Sequence, residues 1–401
     1  MTVRVNKSSF NIREKLSELG RKFGLKGSEL VAAETVQEAR DLVSAGRRNL
    51  VYNGSMSINQ RGDVTNKTTS GYYGPDRFST QMENSASGTW SIGQSTDVPE
   101  GYGFKYSLEY NCTATSNNAN RYLMTIYRME GYDSQVFNYG TPYAKDITLS
   151  FWIKCNKAGN ISVNFENEQN PDQGYQTKQT IHQADTWEKK VVTIPGDTTK
   201  AFSWTSVKAM CFDIVYSAFG TYASATPTAA WSALSNNQRG THCNIDLFDS
   251  TSNYVRITGV QLELGRHATE FEHRSFSEEL ALCQRYYCKS YNPETSPGAA
   301  TSNGIQIIRN YDPNSSRSDH PAGVQFPVTM RGIPNITFYS QNGTANRFTV
   351  GNTTCGSFVN QNGTISNILL KGTGSIGGIS FSTTVPAESF AYFHFIAEAE
   401  L

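Results

Sequence analysis

The chain has 401 residues, with 35 Lys+Arg against 35 Asp+Glu, a charged fraction of 17% and an aromatic fraction of 12%. That many rings exclude a disordered chain, and charge that sparse excludes a long coiled coil. No apolar run approaches the roughly 18 residues of a membrane-spanning helix, and the start Met1-Thr2-Val3-Arg4-Val5-Asn6-Lys7 lacks the apolar stretch of a secretory leader, so the reading is a soluble, β-rich protein long enough for two or three cores.

The chain opens with two predicted helices. Asn11-Ile12-Arg13-Glu14 and Thr35-Val36-Gln37-Glu38 both have the form of a capping box, in which a side-chain oxygen takes an orphan N–H and the Glu returns the bond. Ile12, Leu16 and Leu19 follow the first at helical spacing, and Val36, Ala39, Leu42 and Val43 follow the second. Each stripe is narrow and each helix short, so both need something to pack on, either copies of the same chain or a partner protein. Residues 1–49 hold ten basic and six acidic side chains, net +4, whereas 50–274 carry −3 and 275–401 carry −1. An acidic partner surface suits the first segment, and the nearly neutral remainder disfavours electrostatic capture of nucleic acid or anionic polymer.

From Leu50 the period changes to two. Phe104-Lys105-Tyr106-Ser107-Leu108-Glu109-Tyr110, Ile147 to Lys154 and Ile161 to Glu166 alternate cleanly, with further strands predicted at Val191–Ile194, Met210–Val215 and Tyr254–Leu262. Turn clusters such as Asn156-Lys157-Ala158-Gly159-Asn160 separate them. Many short strands without an intervening helical pattern indicate an antiparallel sandwich over 50–274. A linking helix is predicted over 275–290, opened by the capping box Ser275-Phe276-Ser277-Glu278 and carrying Phe276, Leu280, Cys283 and Tyr287. Residues 291–401 read as a smaller β-sandwich, in which Gln-Asn-Gly-Thr occurs at Gln341 and at Gln361 as two type I′ hairpin tips.

Seven cysteines, Cys112, Cys155, Cys211, Cys243, Cys283, Cys288 and Cys355, include no CxxC pair, and Cys283 and Cys288 fall on different sides of the predicted helix. They read as free thiols of a protein made in a reducing cytosol, with neither a disulfide framework nor a zinc site.

Several runs resemble a known family. Gly46-Arg47-Arg48-Asn49-Leu50-Val51-Tyr52-Asn53-Gly54, continuing to Gln60-Arg61-Gly62, is similar to the opening of sandwich modules in bacteriophage tail fibres. Tyr254 to Gly265, Ala268 to Phe276 and the run Glu279-Leu280-Ala281-Leu282-Cys283-Gln284-Arg285-Tyr286-Tyr287 resemble that module's last strand and exit helix. Phe326 to Arg331 and the ending Ala399-Glu400-Leu401 are similar to fibres of marine, especially cyanobacterial, podophages. The resemblance implies a homotrimeric virion component, fixed to the phage tail or an adaptor protein by its N-terminal helices and meeting the host surface with its distal β domains. It also implies a jelly roll of the carbohydrate-binding-module kind, hence a host surface glycan as partner, a place in the virion tail, and neither membrane insertion nor nucleic-acid binding.

Sugar recognition needs exposed rings flanked by hydrogen-bonding groups. The stretch Tyr216 to Thr241 lacks alternation and carries Tyr216, Phe219, Tyr222 and Trp231, which makes it the first candidate ligand surface; the same rings can simply pack the loop onto the sheet or a neighbouring subunit. Tyr132, Phe137, Tyr139 and Tyr143 form a second candidate. Catalysis finds little support. Glu166, Glu168 and Asp172 are the compact acidic group a glycosidase would need, Asp246 and Asp249 a weaker one, and no Gly-x-Ser-x-Gly elbow or phosphate loop is present. A purely architectural appendage is the alternative reading and a polysaccharide-degrading spike a more distant one. Jelly-roll modules often hold a calcium ion near the first and last strands. Here Asn53-Gly54-Ser55-Met56-Ser57 offers no acid to join Glu263, so no metal or other cofactor is expected.

Overall fold

The computed structural model describes residues 48–82, 88–169, 173–309, 317–352, 358–385 and 389–401. Ile12, Leu16, Leu19, Val36, Ala39, Leu42 and Val43, the predicted docking stripes, lie outside the described residues, as do Asp172 and Cys355.

Alternation along a strand becomes burial on one face of a sheet. In Ile147–Cys155 the side chains of Ile147, Leu149, Phe151 and Ile153 are fully buried, while Trp152 and Lys154 remain partly exposed on the other face. The first twelve strands are β1 (Val64–Lys67), β2 (Gly71–Tyr72), β3 (Phe78–Met82), β4 (Thr89–Ser95), β5 (Ser107–Ala114), β6 (Tyr122–Glu130), β7 (Ile147–Cys155), β8 (Gly159–Asn167), β9 (Gly174–Ile181), β10 (Glu188–Ile194), β11 (Lys208–Ala218) and β12 (Tyr254–Leu264). They form two six-stranded antiparallel sheets, ordered β1-β4-β5-β12-β7-β10 and β2-β3-β6-β11-β8-β9. From β5 onward the chain crosses repeatedly between the sheets in the manner of a jelly roll. Trp90, Tyr110, Phe151, Phe165 and Phe212 fill the space between them, so the chain is a mainly β antiparallel sandwich.

Between β11 and β12, residues 219–253 return as a strap, whose Tyr222 and Cys243 lie on the outer face of the second sheet while Ile245, Leu247 and Phe248 enter the main core. Phe212, Ile214 and Tyr216 point into the main core, whereas Cys211, Val215 and Ala218 belong to a separate small cluster with Tyr222 and Cys243 of the strap. Arg239 holds it in place, pairing with Asp213 at 2.6 Å and Glu166 at 2.5 Å.

The helix after the sandwich runs Phe276–Gln284, and Ser275 caps it by accepting from the Glu278 N–H at 3.3 Å. It ends sooner than its apolar spacing suggests. Tyr287 and Cys288 lie on β13 (Tyr287–Lys289), because their backbone pairs with the last strand. Then come β14 (Gln306–Arg309), β15 (Arg317–Gln325), β16 (Asn335–Tyr339), β17 (Arg347–Asn352), β18 (Phe358–Lys371), β19 (Ser375–Val385) and β20 (Ser389–Glu398). These join one eight-stranded sheet in which β20 pairs with β13, β14, β16 and β17. Phe338, Phe348, Phe393 and Phe395 form its core.

Of the two Gln-Asn-Gly-Thr runs the first closes a hairpin, with Tyr339 bridged to Ala345 and the Ser340 N–H donating to the Thr344 carbonyl at 3.0 Å, and the second does not. The first links β16 and β17, which both pair with β20, and the second lies inside β18, where Gly363 opposes Phe348. Ladder pairing overrides turn propensity there.

Candidate functional site

The structure disperses the four rings of the first candidate. Tyr216 is a correction: it sits in the main core at 1% exposure, its hydroxyl 2.8 Å from that of Thr125, because β11 continues to Ala218 and turns this ring inward. Phe219 lies beneath the Arg121 guanidinium at 4.1 Å, and Tyr222 packs on Tyr122 with ring centroids 4.1 Å apart. Trp231 stands edge-on to Tyr139 and Tyr175, at 5.5 and 5.6 Å, and its indole N–H donates to the Pro195 carbonyl at 2.8 Å. These rings hold the strap down and make no common platform. Of the second set, Phe137 and Tyr139 are buried while Tyr132 and Tyr143 are exposed.

The acids raised as catalytic candidates are engaged elsewhere. Glu166 and Asp213 share Arg239, and both Glu168 oxygens accept from Arg128 Nε at 3.0 and 3.1 Å. Asp246 pairs with Arg121 and Asp249 with Lys157. Glu263 is buried and accepts from the backbone N–H of Thr269 at 3.0 Å, which ties down the turn after β12. Among the described residues no group of three or more His, Cys, Asp or Glu converges as metal ligands would.

A different surface brings aromatic and polar groups together. On the outer face of the first sheet a groove of about 330 Å³ is lined by Tyr102, Ser150, Trp152, Lys189, Glu270 and Phe271. Ser150 and Trp152 occupy the outward register of β7, opposite Gln261 and Thr258 of β12, and Lys189 of β10 lies opposite Trp152. The Tyr102 and Trp152 rings are 4.4 Å apart, and Phe271 packs edge-on against Phe104 at 5.0 Å. Tyr102 is 52% exposed, so the platform faces solvent.

The groove depends on a glycine. Pairing of β12 with β7 slips between Thr258 and Gln261, and Gly259 there has φ +61°. A Cβ at Gly259 would stand 2.6 Å from Phe104 Cζ and 3.0 Å from Trp152 Cδ1, so only glycine allows the bulge and the two rings to coexist.

Charged side chains brace the same sheet face. Asp97 accepts from Lys154 Nζ at 2.8 Å, Arg256 Nη1 at 2.9 Å and the Trp187 indole at 2.9 Å. Burial works to raise its pKa, but the hydrogen bonds from Lys154 and Trp187, with the charges of Lys154 and Arg256, together outweigh it and hold the carboxyl below the usual range.

A second cavity of about 220 Å³ adjoins the groove, and His273 lines both. Its other walls include Ser55, Ser57, Lys105, Arg274 and Glu279. Burial raises the Glu279 carboxyl, with the Asn53 N–H and Arg274 pulling the other way.

Sequence reasoning passed over this surface because it sought rings in an irregular loop. The available signal was a tryptophan in the polar register of Thr148-Leu149-Ser150-Phe151-Trp152, where the pattern calls for a small or charged residue.

No protein-family model matches the chain, and no curated protein matches it significantly. Among solved structures the chain is similar in shape to the enzymatically active domain of tailspike protein 4 of bacteriophage CBA120, at 12% identity and a TM-score of 0.29, over 54% of this chain and 21% of that one. It is also similar to TmCBM61 in complex with β-1,4-galactotriose (9% identity, TM-score 0.28, 55% of this chain and 100% of that one). A family 11 carbohydrate-binding module from Clostridium thermocellum matches with 14% identity and a TM-score of 0.23, over 53% and 98% of the two chains. TM-scores this low describe a partial likeness of shape, and the sandwich assignment stands on its own strand order.

Proposed function

We propose that the chain is a glycan-binding tail-fibre subunit that attaches a phage particle to its host through the outer face of the first sheet. The observation that supports this reading is the platform of Tyr102, Trp152 and Phe271, with Ser150, Lys189 and Glu270 beside it. Sugar C–H faces stack on aromatic rings, and hydroxyls at the ring edge take hydrogen bonds from flanking polar groups.

In this reading the glycan is held and not cleaved. Glycoside hydrolysis needs an acid and a carboxylate about 5 to 9.5 Å apart, both free to face the substrate. Glu166, Glu168 and Asp213 are instead bound by arginines, which supports a binder. The basic N-terminal segment would trimerise the fibre and join it to an acidic surface on the tail or an adaptor, as the resemblance to podophage fibres implies.

The test is a glycan array probed with the labelled full-length chain and with Trp152→Ala. Binding by the wild type that the variant loses is the expected result. A wild-type chain that binds no glycan, or a variant that binds as well, overturns the reading.

A further inference from the structure

The aromatic groove continues past Phe271 into the adjoining cavity. His273 joins the two: its Nε2 lies 2.9 Å from the carbonyl of Tyr102, and because a carbonyl only accepts, this nitrogen carries the proton. Beyond it stand the hydroxyls of Ser55 and Ser57, 2.7 Å apart, with Lys105 and Arg274.

Residues 50–274 as a whole carry −3, yet the charges of this combined cleft do not cancel. In the groove Lys189 and Glu270 offset each other, and beside the cavity Arg274 and Arg48 offset Glu279 and Glu272, with Arg274 Nη1 3.3 Å from Glu279 Oε1 and its Nη2 3.9 Å from Glu272 Oε2. Lys105 is left over. It has no ion pair among the described residues, is exposed, and holds its ammonium 5.0 Å from the centre of the Tyr106 ring. Arg274 adds a second feature. Its side chain is 3% exposed, and among the described residues its Nε has no hydrogen-bond partner. A concave site with surplus positive charge concentrates anions, and hydroxyl donors beside it complete an oxyanion's shell.

We infer that the ligand is an acidic oligosaccharide, with one sugar ring on the Tyr102–Trp152 platform and a carboxylate or sulfate of a neighbouring residue in the cavity beside Lys105, Ser55 and Ser57. This rests on the glycan reading of the groove and narrows it to a substrate class. It requires at least two contiguous sugar positions, since platform and cation line different cavities. Lys105 supplies charge selectivity, and the rings supply stacking that neutral and acidic sugars share.

The experiment uses the full-length chain on an array of neutral, uronic-acid-containing and sulfated oligosaccharides, followed by titration calorimetry on the strongest binders. Acidic oligosaccharides should dominate, with the uronic-acid and sulfated arms showing which anion the cavity takes. Lys105→Ala should weaken them about tenfold and Lys105→Arg should retain them, while binding of any neutral glycan stays unchanged. Neutral glycans bound as tightly as acidic ones, or acidic binding indifferent to Lys105→Ala, would overturn this inference and leave the glycan reading standing. Loss of all binding in Trp152→Ala supports the platform. Binding unaffected by Trp152→Ala overturns the platform, and with it this assignment.

Discussion

The guanidinium of Arg77 lies 3.4 Å from the centre of the Tyr286 ring, and the same group pairs with Glu400. Arg77 precedes β3 of the sandwich, whereas Tyr286 and Glu400 flank β13 and β20 of the C-terminal sheet, so one cation bridges the two halves. The side chains of Arg77 and Glu400 are 1% and 5% exposed. Removing one partner of a buried pair strands the other charge. Glu400→Ala should therefore cost about 3–5 kcal/mol, read as a lower denaturant midpoint. A loss below about 1 kcal/mol would mean that the pair does not join the halves.

Arg239 plays a corresponding part for the strap over residues 219–253. Its removal leaves Glu166 and Asp213 unpaired beneath a segment with few other charged ties. Arg239→Ala should speed proteolytic cleavage between Ala223 and Asn237, while the strands of the first sheet keep their protection against hydrogen exchange. Cleavage at the wild-type rate would contradict that role.

The buried aspartates set a pH dependence. Asp213 is pushed up from 3.8 to about 6, chiefly by burial, with Arg239 opposing, and Asp76 is raised to about 6 by burial against Arg61. A carboxyl whose folded pKa exceeds its unfolded value favours the folded state at low pH, and that contribution is lost as pH rises from about 4 through 6. Glu188 acts oppositely. Burial would raise it, but hydrogen bonds from Lys190 and His182 outweigh this and bring it down to about 2, so its contribution is present above 4.5 and lost below. Thermal stability should therefore peak near the acid end of the range between about pH 4 and pH 6, and the decline toward pH 7 should shrink in Asp213→Asn. An unchanged decline in the variant would show that Asp213 does not titrate in this window.

Gly259→Ala tests the bulge beneath the aromatic platform. A left-handed backbone costs an L-residue roughly 1–2 kcal/mol, and the added methyl must displace Phe104 or Trp152. The variant should lose both stability and glycan binding. If it binds glycan normally, the rings do not depend on this glycine.

Half of the sandwich strands were legible, because segments such as Ile147 to Lys154 and Ile161 to Glu166 have one face on a common core and period two reports that directly, whereas β6, buried along nearly its whole length, shows no such period. The helix end at Gln284 was not. Tyr287 keeps helical spacing with Phe276, Leu280 and Cys283, and only pairing with Glu398, over a hundred residues away, makes it a strand. Tyr216 shows the same limit: strand β11 runs longer than its apolar alternation, so a ring read as loop is core. The groove was hidden because it joins Tyr102, Trp152, Lys189 and Phe271 from four separated segments, a convergence that no local pattern encodes.

The central claim is that rings on the first sheet, and not those of the strap, hold the ligand. Calorimetric titration of one array-selected oligosaccharide into wild type, Tyr102→Ala/Trp152→Ala and Trp231→Ala tests it most directly. The double variant should lose at least about 2 kcal/mol of binding, while Trp231→Ala binds as the wild type does. Binding that survives in the double variant and fails in Trp231→Ala would place the site on the strap and contradict the account.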